Sequence, residues 1–262
     1  MSTPEDLKVV FSYPESLSRT PTHYCPGCLH GVAHRLVAEA MDELGIRERT
    51  VGVCPVGCSV LAYKYFSCDM IEASHGRAPA VATGLVRARP DLYCFTYQGD
   101  GDLASIGMAE IVHAANRGER FTVIFYNNAI YGMTGGQMAP TTLVGMKTTT
   151  SPSGRDPGHR GAGYPIRVAE LLATLEAPIY VARQSLLTAK DILKSKRAVK
   201  RAFELQKQGF TFVELVGTCP TNWGMAAVES RDWASAHMLP VFPVGVFRDR
   251  LAAQDGPAEK EG

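Results

Sequence analysis

The stretch that decides the fold is Tyr97-Gln98-Gly99-Asp100-Gly101-Asp102-Leu103, and it is paired with a second one, Asn127-Asn128-Ala129-Ile130-Tyr131-Gly132. An apolar run precedes each stretch, at 92–97 and at 121–126, and such runs are typical of buried parallel strands. The residues between them, 104–116, have a helical pattern. The stretches therefore predict an α/β fold with a mostly parallel sheet and helices on both faces. Both strands end in polar side chains, at the edge where open α/β sheets place binding sites.

The polar groups at these two strand ends suit a magnesium ion and a phosphate. Asp100 offers a carboxylate oxygen and Asn128 an amide oxygen, and magnesium prefers a few protein oxygens together with phosphate oxygens. Gly99 and Gly101 allow backbone N–H groups to approach a phosphate at the start of a helix. A lone Gly-Asp-Gly is more typical of a tight turn with a capping aspartate. The paired asparagines one strand later favour the metal site.

These segments carry a resemblance to a known family. Gly-Asp-Gly followed by a strand that ends in Asn-Asn resembles the thiamine diphosphate motif. The longer segments 99–103 and 128–137 resemble the β subunit of 2-oxoacid:ferredoxin oxidoreductases, particularly the 2-oxoisovalerate type. The resemblance extends from about Thr22 to about Phe247.

The resemblance implies the thiamine diphosphate-binding fold and assigns roles to individual residues. The implied Mg²⁺ ligands are Asp100, Asn128 and the backbone carbonyl of Ile130. The implied thiamine diphosphate contacts are residues of the loops that follow the predicted strands: Gly57, Cys58, Ser59, His75, Gly101, Asp102, Gly132 and Met133.

Length and composition are those of one large α/β domain. The chain has 262 residues, of which 45% are hydrophobic and 20% charged, with a net charge of +1. This charge gives no reason to expect nucleic acid as a partner. No apolar run approaches the ~20 residues that span a bilayer, and the first residues are polar, so we expect a cytoplasmic protein without a membrane span. We divide the chain into an N-terminal arm (1–21), a cofactor-binding domain (22–253) and a polar tail (254–262).

Four of the seven cysteines stand in turns that contain glycine or proline. Cys25 and Cys28 form a Cys-x-x-Cys pair, and Cys58 and Cys219 each follow a predicted strand. Loops at one sheet edge can bring four thiolates together, which suits a zinc ion or an iron–sulfur cluster. A redox-active dithiol at Cys25 and Cys28 is a third alternative.

The family resemblance favours iron among these alternatives. It implies one [4Fe–4S] cluster with Cys25, Cys28, Cys58 and Cys219 as its ligands. Cys54 is an additional thiol, four residues before Cys58, and is the alternative third ligand.

Other segments have both a structural and a functional interpretation. His30 and His34 lie one helical turn apart, which is compatible with a metal pair but more typical of solvated or capping side chains. His75-Gly76-Arg77 opens a predicted helix and matches the family pattern near the diphosphate. The irregular segment 135–164 is long enough to be a cover over the cofactor and part of a subunit interface. The basic helix 186–208 is interpreted as a solvated face or as a docking site for an acidic electron carrier.

The resemblance also implies an activity and partners. The activity is oxidative decarboxylation of a 2-oxoacid to an acyl-CoA and CO₂, with electrons passed through the cluster to ferredoxin. The partners are an α subunit that supplies the activating glutamate, together with γ and ferredoxin-like δ subunits. Two other functions fit the same residues: a subunit of a non-redox thiamine diphosphate-dependent 2-oxoacid decarboxylase, and a non-catalytic scaffold subunit. The sequence leaves the 2-oxoacid open between branched-chain acids, 2-oxoglutarate and aryl acids.

Overall fold

A seven-stranded sheet forms the centre of the domain. The computed structural model describes residues 11–158 and 161–252. The strands, in chain order, are β1 Thr50–Pro55, β2 Asp69–Ala73, β3 Tyr93–Gly99, β4 Thr122–Asn127, β5 Tyr180–Ser185, β6 Thr211–Val216 and β7 Gly245–Asp249. Their spatial order is β2-β1-β3-β4-β6-β5-β7, with β1 to β6 parallel and β7 antiparallel to β5. Every residue of β1, β4 and β6 is buried, because helices cover the sheet on both sides.

The helices divide between the two faces of the sheet. They are α1 His30–Leu44, α2 Ala78–Ala88, α3 Met108–Asn116, α4 Val168–Ala173, α5 Ala189–Leu205, α6 Pro220–Trp223, α7 Ala227–Trp233 and α8 Leu239–Val241. Helices α1 and α5 enclose one hydrophobic core, and α2, α3 and α4 enclose a second core on the opposite face. The predicted fold class, a mostly parallel sheet between two helical layers, is confirmed.

The structure differs from the sequence prediction at two helices and one strand. The helix predicted over 104–116 begins as a wider π-helical turn, Asp102–Ile106, and becomes α-helical only after Gly107. Glycine fits at position 107, where a Cβ would lie 2.8 Å from the carbonyl oxygen of Gly76. Helix α5 is shorter than predicted because Thr188 caps it by accepting the N–H of Asp191. The antiparallel edge strand β7 was not predicted.

The basic helix α5 is attached to α1 through its lysines. Lys196 contacts Glu39 and Glu43 at 2.9 and 2.7 Å, and Lys200 contacts Glu43 at 2.8 Å. The two helices are neighbours on the same face, so the acids of α1 lie opposite the lysines of α5. These lysines therefore have partners within the chain, contrary to the interpretation of the whole basic face as solvated.

The described part of the N-terminal arm, residues 11–21, is tied to its own domain. The carboxylate of Asp42 accepts the backbone N–H of Glu15 and both the N–H and the hydroxyl of Ser16. Leu17 pairs with Phe66 in an isolated bridge. Residues 1–10 and the predicted polar tail, 254–262, lie outside the described residues. Among the helices of the described ranges, none combines the length and hydrophobicity needed to cross a bilayer.

Arg155 organises the long irregular segment. The described residues of 135–164 form no helix or regular strand, as predicted. The Arg155 side chain, which is 4% exposed, donates to six carbonyl oxygens of this segment. The acceptors are Ala139, Pro140, Thr142, Ala162, Gly163 and Tyr164. One buried guanidinium thus provides the hydrogen bonds that a helix or a sheet would otherwise provide.

Candidate cofactor and metal site

The candidate site lies at the carboxyl edge of the parallel sheet. A chemically distinctive side chain follows five of the six parallel strands: Cys58 after β1, His75 after β2, Asp100 after β3, Asn128 after β4 and Cys219 after β6. Parallel strands end at the same edge, so residues far apart in the chain converge there.

One cavity of about 280 Å³ collects the residues that the motif singled out. Its lining includes the eight predicted cofactor contacts Gly57, Cys58, Ser59, His75, Gly101, Asp102, Gly132 and Met133, and the three predicted Mg²⁺ ligands Asp100, Asn128 and Ile130. A volume of this order suits part of a small-molecule ligand. The structure brings all eleven residues together, and their binding roles stay predictions.

Asp100 is a buried carboxyl whose hydrogen-bond donors are all neutral. It is 2% exposed and accepts the N–H groups of Gly101 at 2.8 Å and Ile130 at 3.1 Å. It also accepts the hydroxyl of Thr141 at 2.6 Å. Burial raises the pKa of Asp100 to about 7, against the lowering effect of these donors. A cation at this carboxylate would offset the cost of burial, which fits the predicted Mg²⁺ role.

The loop after β4 has an unusual backbone at Ala129. Its φ is +58°, and it is the single non-glycine residue with positive φ in the part of the chain that the structure describes. The side-chain oxygen of Asn127 accepts the N–H of Ala129 at 3.1 Å, and the hydroxyl of Thr142 donates to its carbonyl at 2.6 Å. These bonds hold a conformation that a residue with a Cβ adopts only at an energetic cost.

Asp102 orients His75. Oδ1 of Asp102 accepts Nδ1–H of His75 at 2.6 Å and the N–H of Gly76 at 2.6 Å, and Oδ2 accepts the Gln98 amide at 2.6 Å. This fixes the face that His75 presents to the cavity. Gly101 has a packing role as well, because a Cβ there would lie 2.3 Å from the Tyr131 ring. The interpretation of Gly101 as space for a phosphate is therefore incomplete.

A second, smaller cavity of about 60 Å³ collects four cysteines. Its lining includes Cys25, Cys28, Cys58 and Cys219. Burial, together with the nearby thiols of Cys219, Cys28 and Cys25, raises the pKa of the Cys58 thiol to about 12, which reflects how close the four sulfurs lie. The Asn222 amide donates to the Cys219 sulfur at 3.2 Å.

Cys54 is set apart from this group. It lies within β1, is fully buried, and its Sγ is 3.8 Å from the carbonyl oxygen of Ile71 on the neighbouring strand β2. It lines neither cavity. The geometry therefore favours Cys58 over Cys54 as the third thiol of the set.

The spacing of the thiols bears on the choice between zinc and a larger cluster. Within residues 11–158 and 161–252, no three His, Cys, Asp or Glu side chains are arranged to hold one metal ion. Zinc needs four ligands at about 2.0 to 2.3 Å from a single centre. The four cysteines line one cavity, and both a zinc ion and a [4Fe–4S] cluster at this cavity stay predictions.

His30 and His34 are neither solvated nor capping residues, contrary to expectation. They are 2% and 1% exposed, and they bond the hydroxyls of Tyr97 at 2.6 Å and Tyr24 at 3.2 Å. The His30 ring stacks on Tyr126 at 3.8 Å. Burial lowers the pKa of His34 to about 3 and that of His30 well below its ordinary value, so both rings are neutral. They belong to an aromatic cluster that borders the cysteine cavity, which His30 and Tyr24 help to line.

A thin wall separates the two cavities. His30, Cys58, Asn128 and Gly132 line both of them. A Cβ on Gly132 would lie 3.1 Å from the Cys58 sulfur and 3.7 Å from the Cys219 sulfur, so the backbone here passes close to both thiols. The Asn222 amide donates to the carbonyl of Gly132 at 2.8 Å. The cofactor cavity and the cysteine cavity are thus immediate neighbours.

Comparisons with known proteins indicate the same family as the sequence motifs. Residues 55–215 match the family described as thiamine pyrophosphate enzyme, C-terminal TPP binding domain. The chain is 53% identical to ketoisovalerate oxidoreductase subunit VorA of Methanothermobacter thermautotrophicus, over 95% of this chain and 52% of that protein. It is 39% identical to 2-oxoglutarate synthase subunit KorB of Methanocaldococcus jannaschii, over 79% of this chain and 72% of that protein.

A solved structure shares the fold. The chain superposes on a chain of the 2-oxoglutarate:ferredoxin oxidoreductase from Magnetococcus marinus, with 2-oxoglutarate, coenzyme A and succinyl-CoA bound, with a TM-score of 0.77. The sequences are 29% identical, and the match covers 92% of this chain and 86% of that chain. The chain spans about half the length of the ketoisovalerate relatives, since 52% of each is covered.

Proposed function

Because this chain belongs to the thiamine pyrophosphate enzyme family, and within it to the subunits of 2-oxoacid oxidoreductases, we propose that it is the thiamine diphosphate-binding subunit of a 2-oxoacid:ferredoxin oxidoreductase. The reaction is RCOCOO⁻ + CoA-SH + 2 oxidised ferredoxin → RCO-S-CoA + CO₂ + 2 reduced ferredoxin + H⁺. The cofactors are thiamine diphosphate, Mg²⁺ and one [4Fe–4S] cluster.

The observation that carries the proposal is the shared wall between the two cavities. All eleven residues assigned to the organic cofactor and its metal line one cavity, and the four cysteines line the next. His30, Cys58, Asn128 and Gly132 line both cavities. A non-redox decarboxylase or a scaffold subunit has no need for four clustered thiols beside the cofactor, so this arrangement favours the redox function over both alternatives.

Residues at different places in the larger cavity have different proposed roles. Asp100, Asn128 and the Ile130 carbonyl would hold Mg²⁺, which neutralises the diphosphate. His75, oriented by Asp102, presents a ring nitrogen to the same cavity. Thiamine diphosphate supplies the carbanion-stabilising chemistry when bound.

The cysteines would provide the route for electrons out of the cofactor cavity. Cys25, Cys28, Cys58 and Cys219 are the proposed ligands of the [4Fe–4S] cluster, which carries one electron at a time. Burial raises the pKa of Cys28 to about 11. Metal ligation requires the thiolate, so the four thiols would release protons when the cluster binds.

The relatives support a proposal for the substrate and the partners. Higher identity to the ketoisovalerate relative, 53% against 39% for the 2-oxoglutarate relative, favours a branched-chain 2-oxoacid. The proposed partners are an α subunit that supplies the activating glutamate, γ and δ subunits with the outer clusters, and ferredoxin. The proposed location is the cytoplasm.

The test is anaerobic purification of the chain together with its partner subunits, followed by three measurements. These are bound thiamine diphosphate, iron and acid-labile sulfide per chain, and CoA-dependent ferredoxin reduction with 2-oxoisovalerate, 2-oxoglutarate and an aryl 2-oxoacid. We expect about four irons per cluster, as its formula requires, and the highest rate with the branched-chain acid. Decarboxylation without iron in this chain would establish the non-redox enzyme, and absence of the organic cofactor would establish a scaffold.

A further inference from the structure

A buried ion pair lies directly behind the proposed magnesium loop. Arg183 on β5 and Glu214 on β6 are register partners on neighbouring strands, and both are 0% exposed. Nε of Arg183 lies 2.9 Å from Oε2 of Glu214, an ion-pair contact that lacks hydrogen-bond geometry. A buried ion pair is costly to form, and replacing it with apolar residues is often neutral or stabilising. Its presence at this place therefore calls for a role other than stability.

On one side of the pair, Arg183 bonds to residues nearer the surface. The guanidinium of Arg183 donates two bonds to the carboxylate of Glu170, at 2.9 and 2.5 Å, and one to the carbonyl of Pro243 at 3.1 Å. This bidentate contact fixes the plane and position of the guanidinium. Glu170 on α4 thus fixes the position of Arg183, and Arg183 in turn fixes the position of Glu214.

The pair extends toward the site on the other side. Oε1 of Glu214 accepts the side-chain amide of Asn127 at 2.8 Å, which fixes the orientation of that amide. The oxygen of the same amide accepts the N–H of Ala129 at 3.1 Å. Ala129 is the residue with φ of +58°, and it stands between the two proposed ligands Asn128 and Ile130.

We propose that Glu214 is a positioning residue for the metal site: through Asn127 it maintains the left-handed backbone at Ala129, and so sets the positions of Asn128 and of the Ile130 carbonyl. This inference rests on the proposed function, which assigns the metal to that loop. Glu214 does not line the cavity and acts only through Asn127. Sequence patterns do not reveal the link, because the two side chains that meet are 87 positions apart.

The experiment reverses the donor and acceptor between the two side chains. Asn127→Asp keeps an oxygen for the Ala129 N–H but places a carboxylate against Glu214. The double variant Asn127→Asp/Glu214→Gln restores one donor and one acceptor with the wild-type net charge. Mg²⁺ affinity is measured as the Mg²⁺ dependence of thiamine diphosphate binding, by calorimetry, on the enzyme purified with its partner subunits.

We expect Asn127→Asp to weaken Mg²⁺ binding by about 10- to 100-fold, as lost support of a metal ligand commonly does. We expect the double variant to recover to within about threefold of wild type, because the two sites are coupled. Adding Ala129→Gly to Asn127→Asp should recover part of the affinity, since glycine adopts positive φ without the cost. Glu119→Gln is the matched control. The Glu119 carboxylate is also buried and has arginine partners, but it lies before β4, at the opposite edge of the sheet. The Glu119→Gln enzyme should therefore bind Mg²⁺ with wild-type affinity.

Two results separate the possible failures. If the wild-type enzyme binds thiamine diphosphate without any Mg²⁺ dependence, the proposed function fails. If the wild-type enzyme needs Mg²⁺ but Asn127→Asp lowers the unfolding temperature and leaves Mg²⁺ affinity unchanged, the network is merely structural and the positioning role is wrong.

Discussion

The hydroxyl of Thr141 donates a hydrogen bond of 2.6 Å to Oδ2 of Asp100, although the two residues are 41 positions apart. This bond joins the long irregular segment to the centre of the candidate site. The next residue, Thr142, donates to the carbonyl of Ala129 at 2.6 Å. The segment therefore supports both the Asp100 carboxylate and the backbone between the proposed ligands Asn128 and Ile130.

Replacing Thr141 by valine should weaken the magnesium site. Valine has the shape of threonine without the hydroxyl, and a hydrogen bond to a charged group contributes about 1.5 to 3 kcal/mol. We expect Mg²⁺-dependent thiamine diphosphate binding to weaken by about tenfold or more. Thr141→Ser keeps the hydroxyl and should bind within a few-fold of wild type. Equal affinity in the valine and serine variants would show that the bond does not support the ligand.

Asp100→Asn should abolish cofactor binding and change the pH dependence of stability. The folded pKa of about 7 lies above the ordinary 3.8, so metal-free wild type loses stability as pH rises from about 4 to 7. The loss is at most about 4 kcal/mol. The amide variant lacks this titration, so its advantage in free energy of unfolding over metal-free wild type should grow with pH. Urea unfolding at pH 5 and pH 8 measures it, and a pH-independent difference would contradict the assignment.

The four clustered cysteines should be needed for iron, and Cys54 should not. Cys219→Ser removes one proposed ligand, so the assembled enzyme should lose cluster iron and ferredoxin reduction while it still binds thiamine diphosphate. Cys54→Ser is the matched control, since Cys54 lines neither cavity. Iron analysis and the paramagnetic signal of the reduced cluster measure the cluster content of both variants. Loss of iron in Cys54→Ser with normal iron in Cys58→Ser would reverse the choice of third ligand.

Asp102 should act on the cofactor through His75. Asp102→Asn replaces one carboxylate oxygen with an NH₂ group. The oxygen that is lost accepts either His75 and Gly76 or Gln98, so the imidazole loses its fixed orientation. We expect each of Asp102→Asn and His75→Gln to weaken thiamine diphosphate binding by about tenfold, the usual effect of removing one charge-assisted bond. The double variant should be little worse than either one. Independent, additive losses would show that Asp102 contacts the cofactor by itself.

His34 should make the fold sensitive to acid. Its folded pKa of about 3 lies below the ordinary 6.5, so the unfolded state binds a proton first and stability falls as pH drops below about 6.5. At pH 5 the loss from this residue is about 2 kcal/mol relative to pH 8. His34→Gln removes this titration, and comparing urea unfolding of both proteins at pH 5 and pH 8 isolates it. The same pH dependence in both would rule out the contribution of His34.

The sequence could predict the elements that depend on local pattern. The apolar runs before Gly99 and Asn127 are buried strands in the structure, because a strand covered on both faces needs consecutive apolar residues. Edge strand β7 carries a weaker pattern, since it is only partly buried, and it was missed. The close approach of the Gly76 backbone to Gly107, at the end of the π-helical turn, is a contact between distant segments that no local pattern reveals.

By itself, the sequence determined which residues are proposed to bind the cofactor and the metals: Asp100, Asn128 and the four thiols stand in short motifs, and each motif needs only its own few residues. The tertiary structure alone decided which side chains support them. Thr141 reaches Asp100, Glu214 reaches Asn127, and His34 is buried rather than solvated, because each contact joins segments that meet only when the sheet is assembled. Threonine, glutamate and histidine occur in many surroundings, so packing, and not residue type, gave them their roles.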